Sequence, residues 1–195
     1  MERLRGLWRN GPMDTLTTFD TATPTLVTGL TGAAGLTGTP RALTVTAAVG
    51  AALVAGVFFA FSTFVMPALR RLPDTQGIEA MQSINRAAPA SGLFMGALFG
   101  TGLLSVGLAV WALRDAGAPY AKYLLAGCAL YLVCIVLTGA YHVPHNNALA
   151  ELDPTGAGAA QTWHRYVTGW TALNHLRVLG PLAAGVSYVL ALRSA

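Results

Sequence analysis

Hydrophobic positions fall in four long blocks, residues 43–66, 90–113, 120–141 and 172–192, each with few or no charges. Every block has about 21 to 24 residues, against the roughly 20 that a helix needs to cross a ~30 Å hydrocarbon core. The pattern predicts an all-α integral membrane four-helix bundle, with both termini on one side. Between the first two blocks, DTQGIEAMQSINRAAP repeats Ile78, Met81 and Ile84 at helical spacing, with Glu79, Gln82 and Arg86 on another side. That is the pattern of a short amphipathic helix on the membrane surface, from which Glu79 or Asn85 is able to reach a site. The loop RDAGAP is short, so the second and third spans are expected to be antiparallel neighbours. Gly92, Gly96 and Gly100 recur every four residues and predict close helix approach along the second span. The third span is expected to end at Tyr141 in a polar turn holding His142, His145, Asn146 and Asn147. A fourth helix should start near residues 159–162 and enter the membrane, with Pro181 inside it.

Composition agrees with a lipid environment. Of 195 residues, 54% are hydrophobic and 10% charged, whereas a soluble domain carries about 25% charge. The formal charge of +4 suits contact with anionic lipid headgroups and gives no argument for nucleic acid. Residues 1–40 read as a flexible leader, rich in Thr and Gly after residue 24 and without the apolar core of a signal peptide. The spanning domain occupies residues 41–195. Arg3, Arg5, Arg9, Arg41, Arg114, Lys122 and Arg193 fall on the side of the termini, and Arg70, Arg71, Arg86 and Arg165 on the other. The balance predicts cytoplasmic termini in a cell-membrane protein. Cys128 and Cys134 fall in the third span and read as apolar fillers.

Candidate chemistry gathers where the third span leaves the membrane and the fourth enters it. Trp163, Tyr166, Trp170, Asn174 and Arg177 fall within a sector of roughly 80° on one helix face. Interfacial anchoring explains the rings, but an amide and a guanidinium carried into a span call for a use. Topology brings them toward His142, His175 and Asn146, so one pocket near the interface is expected. Phe58, Phe59, Phe61 and Phe64 form an aromatic wall that suits a flat apolar ligand. His142, His145, His164 and His175 with Glu79, Glu151 or Asp153 offer a weaker metal alternative, and His142 with His175 a haem alternative. The phosphate-loop, GxSxG and dinucleotide signatures are absent from the sequence.

The blocks FFAFSTFVMPAL, IEAMQSINRAA, VPHNNALAELDP and especially WHRYVTGWTALNHLR resemble the anthrone oxygenase-like family of small four-span membrane proteins. The likeness runs over roughly residues 43–192. Members commonly carry an asparagine where His142 stands, and Asn146 matches the family's second asparagine. The resemblance implies oxidation of an anthrone-type ring to an anthraquinone by molecular oxygen as co-substrate, with no bound cofactor and no metal. In that scheme His175 or His142 is the base, and Arg177 and Asn174 hold the oxyanion. Trp163, Tyr166 and Trp170 stack on the ring system, with Asn146 among the substrate-binding groups. Membrane lipid and an apolar aromatic small molecule are the implied partners. A non-catalytic membrane protein binding an apolar ligand, or supporting another protein, is the rival expectation.

Overall fold

A computed structural model describes residues 36–194, and the leader expected over residues 1–40 lies outside them up to residue 35. Among the described residues four helices are long and apolar enough to cross a membrane: α1 (Gly38–Leu69), α3 (Gly92–Arg114), α4 (Ala121–Ala150) and α5 (Ala159–Arg193). The amphipathic segment forms α2 (Asp74–Ala90). The protein is therefore an all-α integral membrane four-helix bundle with one surface helix. Helix α5 packs along α1 and α4, while α3 packs on α4 and more lightly on α1.

The helices overrun the hydrocarbon. At 1.5 Å per residue, the 35 residues of α5 extend about 50 Å, so some 20 Å stands clear of a ~30 Å core. Helix α2 docks on that projecting end. It buries Ile78 and Met81 in a cluster with Met66, Leu149, Trp163, Tyr166 and Trp170. Its amphipathic face thus covers protein. Gly77 permits the approach, since a Cβ there would lie 3.0 Å from both the Leu69 carbonyl and the Trp163 ring. Gln82 donates from Nε2 to the carbonyls of Leu149 and Leu152, each at 2.9 Å. It thereby ties α2 to the end of α4 and the residue pair beyond it, where the Leu149 carbonyl also accepts from the Leu152 N–H. His164 on α5 lies 3.3 Å from Asp74 at the start of α2.

Three spans contain a widened, π-type turn: Phe61–Val65 in α1, Gly96–Gly100 in α3 and Thr138–His142 in α4. Pro67 and Pro144 each follow such a turn by two residues. Proline lacks an N–H and its ring crowds the carbonyl four residues back, and a widened turn absorbs both. Helix α4 therefore continues to Ala150. The polar turn expected after Tyr141 is two further helical turns instead. Carbonyls at these irregular turns find side-chain donors inside the bundle. Asn174 donates to the Phe58 carbonyl at 2.8 Å, and the Tyr131 hydroxyl to that of Leu98 at 2.8 Å. His142 Nδ1 lies 3.0 Å from the carbonyl of Leu137. Lipid offers no such donors, which confines irregular backbone to the protein interior.

The glycine expectation for α3 is overturned. A Cβ at Gly92, Gly96 or Gly100 meets nothing within 4 Å. The close approaches lie elsewhere, at Gly50 against Thr101, Gly127 against the Tyr188 ring, and Gly180 at 2.8 Å from the Leu130 carbonyl. Spacing alone does not say which face of a helix meets a partner. Gly180→Ala should force α4 and α5 apart and cost about 1–3 kcal/mol. Gly107→Ala, with open space at its Cβ, should gain about 0.5–1 kcal/mol from lost backbone freedom. Unfolding midpoints in mixed detergent micelles check both, and equal midpoints for the two variants would contradict this packing.

Candidate functional site

A cavity of about 250 Å³ opens between α1, α2, α3 and α4, with α5 closing its back. Its walls are largely apolar: Phe58 and Phe61 from α1, Met81 and Ile84 from α2, Phe94, Leu98 and Phe99 from α3, and Trp170 from α5. The polar groups are Asn85, Thr138, His142, Asn146, Asn147 and Arg177. All three widened turns contribute, through Phe61, Leu98 with Phe99, and Thr138 with His142. Among the lining residues, Phe99 of α3, Pro89 of α2, and Val143 and Asn147 of α4 are exposed, so the cavity is open to the surface. Ligand sites for small molecules hold ~300–1,000 Å³. This volume suits a compact ring system and is too small for a whole lipid.

Arg177 dominates the electrostatics. Its side chain is 5% exposed, and among the described residues no carboxylate contacts it. The guanidinium carbon stands 3.8 Å above the centre of the Phe58 ring and 5.8 Å from that of Trp170. Ring faces attract the cation, yet Nε is buried with no hydrogen-bond partner. An uncompensated buried charge carries a penalty of several kcal/mol, and two ring faces return only part of it.

Asn146 organises the neighbouring wall. Its Oδ1 accepts from the Tyr166 hydroxyl at 2.8 Å and from Trp170 Nε1 at 2.9 Å. With both donors on Oδ1, the amide NH2 is turned the other way and remains a donor at the cavity wall. Asn85 Nδ2 reaches the Tyr166 hydroxyl at 3.5 Å. The Trp170 ring itself packs 5.6 Å from Phe61 and meets His142 edge-on at 5.1 Å. His142 is 1% exposed, with Nδ1 at the Leu137 carbonyl and Nε2 at the Trp170 carbonyl, 3.3 Å away. A neutral imidazole donates from one nitrogen only. Each ring nitrogen thus faces a backbone carbonyl, and the tautomer sets which of the two donates.

The structure brings together His142, Asn146, Trp170 and Arg177, as the sequence led us to expect, and separates the others. Asn174 is fully buried but does not line the cavity. Its Nδ2 is engaged by the Phe58 carbonyl and by Ser62 Oγ at 2.9 Å, so it ties α5 to α1. Trp163 and Tyr166 stack on each other, ring centres 5.7 Å apart, in the core beneath α2. Trp163 has no surface on the cavity, and Tyr166 acts on it through Asn146. His175 is exposed on the outer side of α5, in a groove with Arg70 and Arg71. It does not share a cavity with Arg177. Helical spacing already places it roughly 100° from Asn174.

The same placement removes the paired-histidine haem arrangement, since His142 faces inward and His175 outward. Among the described residues no three His, Cys, Asp or Glu side chains converge on a point that could hold a metal ion. The aromatic wall divides as well. Phe58 and Phe61 line the cavity, while Phe59 and Phe64 point away, Phe64 being 62% exposed. Asn85 of α2 reaches the cavity, as its place on the expected surface helix allowed. Met81 and Ile84 of α2 and Phe94, Met95 and Phe99 of α3 were not expected as site residues. Their signal was the amphipathic period of α2, which shows a buried face but not what it covers.

Bundle and cavity together define a four-span membrane protein with an aromatic-lined interior site that carries one unpaired cation. The profile of the anthrone oxygenase family matches residues 90–187, about half of the chain, and the chain belongs to that family. His142, Asn146, Trp170 and Arg177 lie within the match. The cavity walls contributed by α1 and by most of α2 lie outside it, a narrower correspondence than the sequence blocks suggested. No curated protein and no solved structure matches the chain.

Asn146→Ala would leave the Tyr166 hydroxyl and Trp170 Nε1 buried without an acceptor. The expected loss is about 1–3 kcal/mol for each donor left unsatisfied, read as a lower unfolding midpoint in detergent. A midpoint matching the parent protein would mean that this network does not form.

Proposed function

We propose that the cavity binds the ionised, enolate form of a flat phenolic ring compound of the anthrone type and promotes its oxidation by molecular oxygen to the quinone. The observation that carries this reading is Arg177, a buried guanidinium with no carboxylate partner, set beside aromatic walls. A delocalised organic anion would supply the missing charge and stack on the surrounding rings. The NH2 group of Asn146 is a second donor for the oxyanion.

The chemistry balances without a resident cofactor. Loss of one ring CH2 proton from an anthrone leaves an electron-rich enolate. That enolate reduces oxygen, and C–O bond formation at the same carbon gives a hydroperoxide. Elimination of water from the hydroperoxide yields the carbonyl, so anthrone and oxygen become anthraquinone and water. The protein need only position the ring, accept the proton and hold the oxyanion. His142, which lines the cavity, is the base in this scheme, and its ring turns from a backbone carbonyl to take the proton. The role passes to it because His175 lies outside the cavity.

One observation favours the rival reading, a binding protein without turnover. Both nitrogens of His142 already face backbone carbonyls, which suits an imidazole that braces α4 against α5. Oxygen uptake by detergent-purified protein with an added dihydroxyanthrone separates the two. The oxygenase reading expects uptake well above the spontaneous rate. Arg177→Gln should lower it by tenfold or more, and His142→Gln by about a hundredfold, the scale of a lost general base. Saturable quenching of tryptophan fluorescence by the anthrone, with uptake no faster than in buffer, would instead establish binding alone.

A further inference from the structure

Outside the bundle, the end of α1 and the membrane-entry segment of α5 enclose an open groove of about 620 Å³, distinct from the interior cavity. Arg70, Arg71, Thr168, Thr171 and His175 line it over a floor that includes Met66 and Pro67. Among the described residues neither arginine contacts a carboxylate. Thr171 adds an independent sign. Helical Thr and Ser side chains here commonly donate to the carbonyl four residues back, as do Thr138, Thr168 and Ser187. Thr171 Oγ1 is buried and has no partner at all. Thr171 itself lines the groove, and a turn about χ1 would bring this unused hydroxyl from beneath the surface to a ligand seated there.

The groove continues into an apolar strip. Thr168, Thr171, His175, Leu179, Leu182 and Val186 follow one another at steps of three or four residues, a single line along the helix. Its lower members, Leu179, Leu182 and Val186, are exposed. From His175 to Val186 the rise is about 16 Å, close to the half-thickness of a ~30 Å hydrocarbon core. Two guanidinium groups and a free hydroxyl at one end, and a strip one leaflet long below them, match a molecule with an anionic head and an acyl chain. A soluble anion would have no use for the strip.

We propose that this groove is a binding site for an anionic phospholipid. Its phosphate sits among Arg70, Arg71 and His175 and accepts from Thr171 Oγ1, and one acyl chain lies along Leu179, Leu182 and Val186. Arginine pairs suit phosphate oxygens by geometry as well as charge. The site gives His175 a role on the outer surface and does not depend on what the interior cavity binds.

Native mass spectrometry of the full-length protein, offered phosphatidylglycerol and phosphatidylcholine with identical acyl chains, tests the proposal. Phosphatidylglycerol should be retained about tenfold more strongly, and the double variant Arg70→Gln, Arg71→Gln should lose that preference. Thr171→Val keeps the side-chain shape and removes only the hydroxyl, so it folds even if the double variant does not. It should weaken retention of phosphatidylglycerol severalfold. Equal retention of the two lipids, or a preference unchanged in Thr171→Val, overturns the site. Displacement of the lipid by millimolar inorganic phosphate would show a free-anion site and overturn the lipid assignment.

Discussion

An unpaired guanidinium inside a membrane bundle is the constraint around which the rest of this structure is arranged. Arg177 is held within the helices, its charge resting on the faces of Phe58 and Trp170. Each of those rings is fixed by something else. The backbone of Phe58 is tied to α5 by Asn174, and Trp170 is held by Asn146 through its indole nitrogen. Removing water from a cation raises the value of every group that can stabilise it. The surrounding aromatic and amide groups are therefore understandable as one unit.

The same region concentrates backbone irregularity. Widened turns in α1, α3 and α4 all border the cavity, and each lies beside a carbonyl that a buried side chain serves: Asn174, Tyr131 and His142 in turn. In lipid a weakly bonded carbonyl has no water to turn to, and these side-chain donors add to the backbone N–H groups that reach Phe58 and Leu98. Widening also opens space between helices that would otherwise pack closely. Cavity and irregular turns thus share one region of the bundle, and Asn174, an expected oxyanion donor, ties α5 to α1 there.

Much of the architecture was legible from composition and period. Four apolar blocks of spanning length, an amphipathic connector at Ile78, Met81 and Ile84, and the start of the fourth helix near residue 159 all follow from local pattern. The stripe from Trp163 to Arg177 identified the right helix face, because residues three or four apart share a face whatever they pack against. Four of the eight expected site residues, His142, Asn146, Trp170 and Arg177, line one cavity for that reason.

What the stripe could not show was depth and neighbours. Trp163 lies on the same face as Arg177 but about 21 Å away along the axis at 1.5 Å per residue, beyond the cavity and under α2. Each π-type turn also adds a residue to its helix, rotating everything beyond it by roughly 100° relative to a regular period. Pro67 and Pro144 mark two of those turns in the sequence, but whether proline ends, kinks or widens a helix depends on donors from other helices. The chain by itself determined that it would be four helices in a membrane with a polar face on the last. Tertiary packing decided that Arg177 looks inward and His175 outward, because only neighbouring helices distinguish a face that meets protein from one that meets lipid.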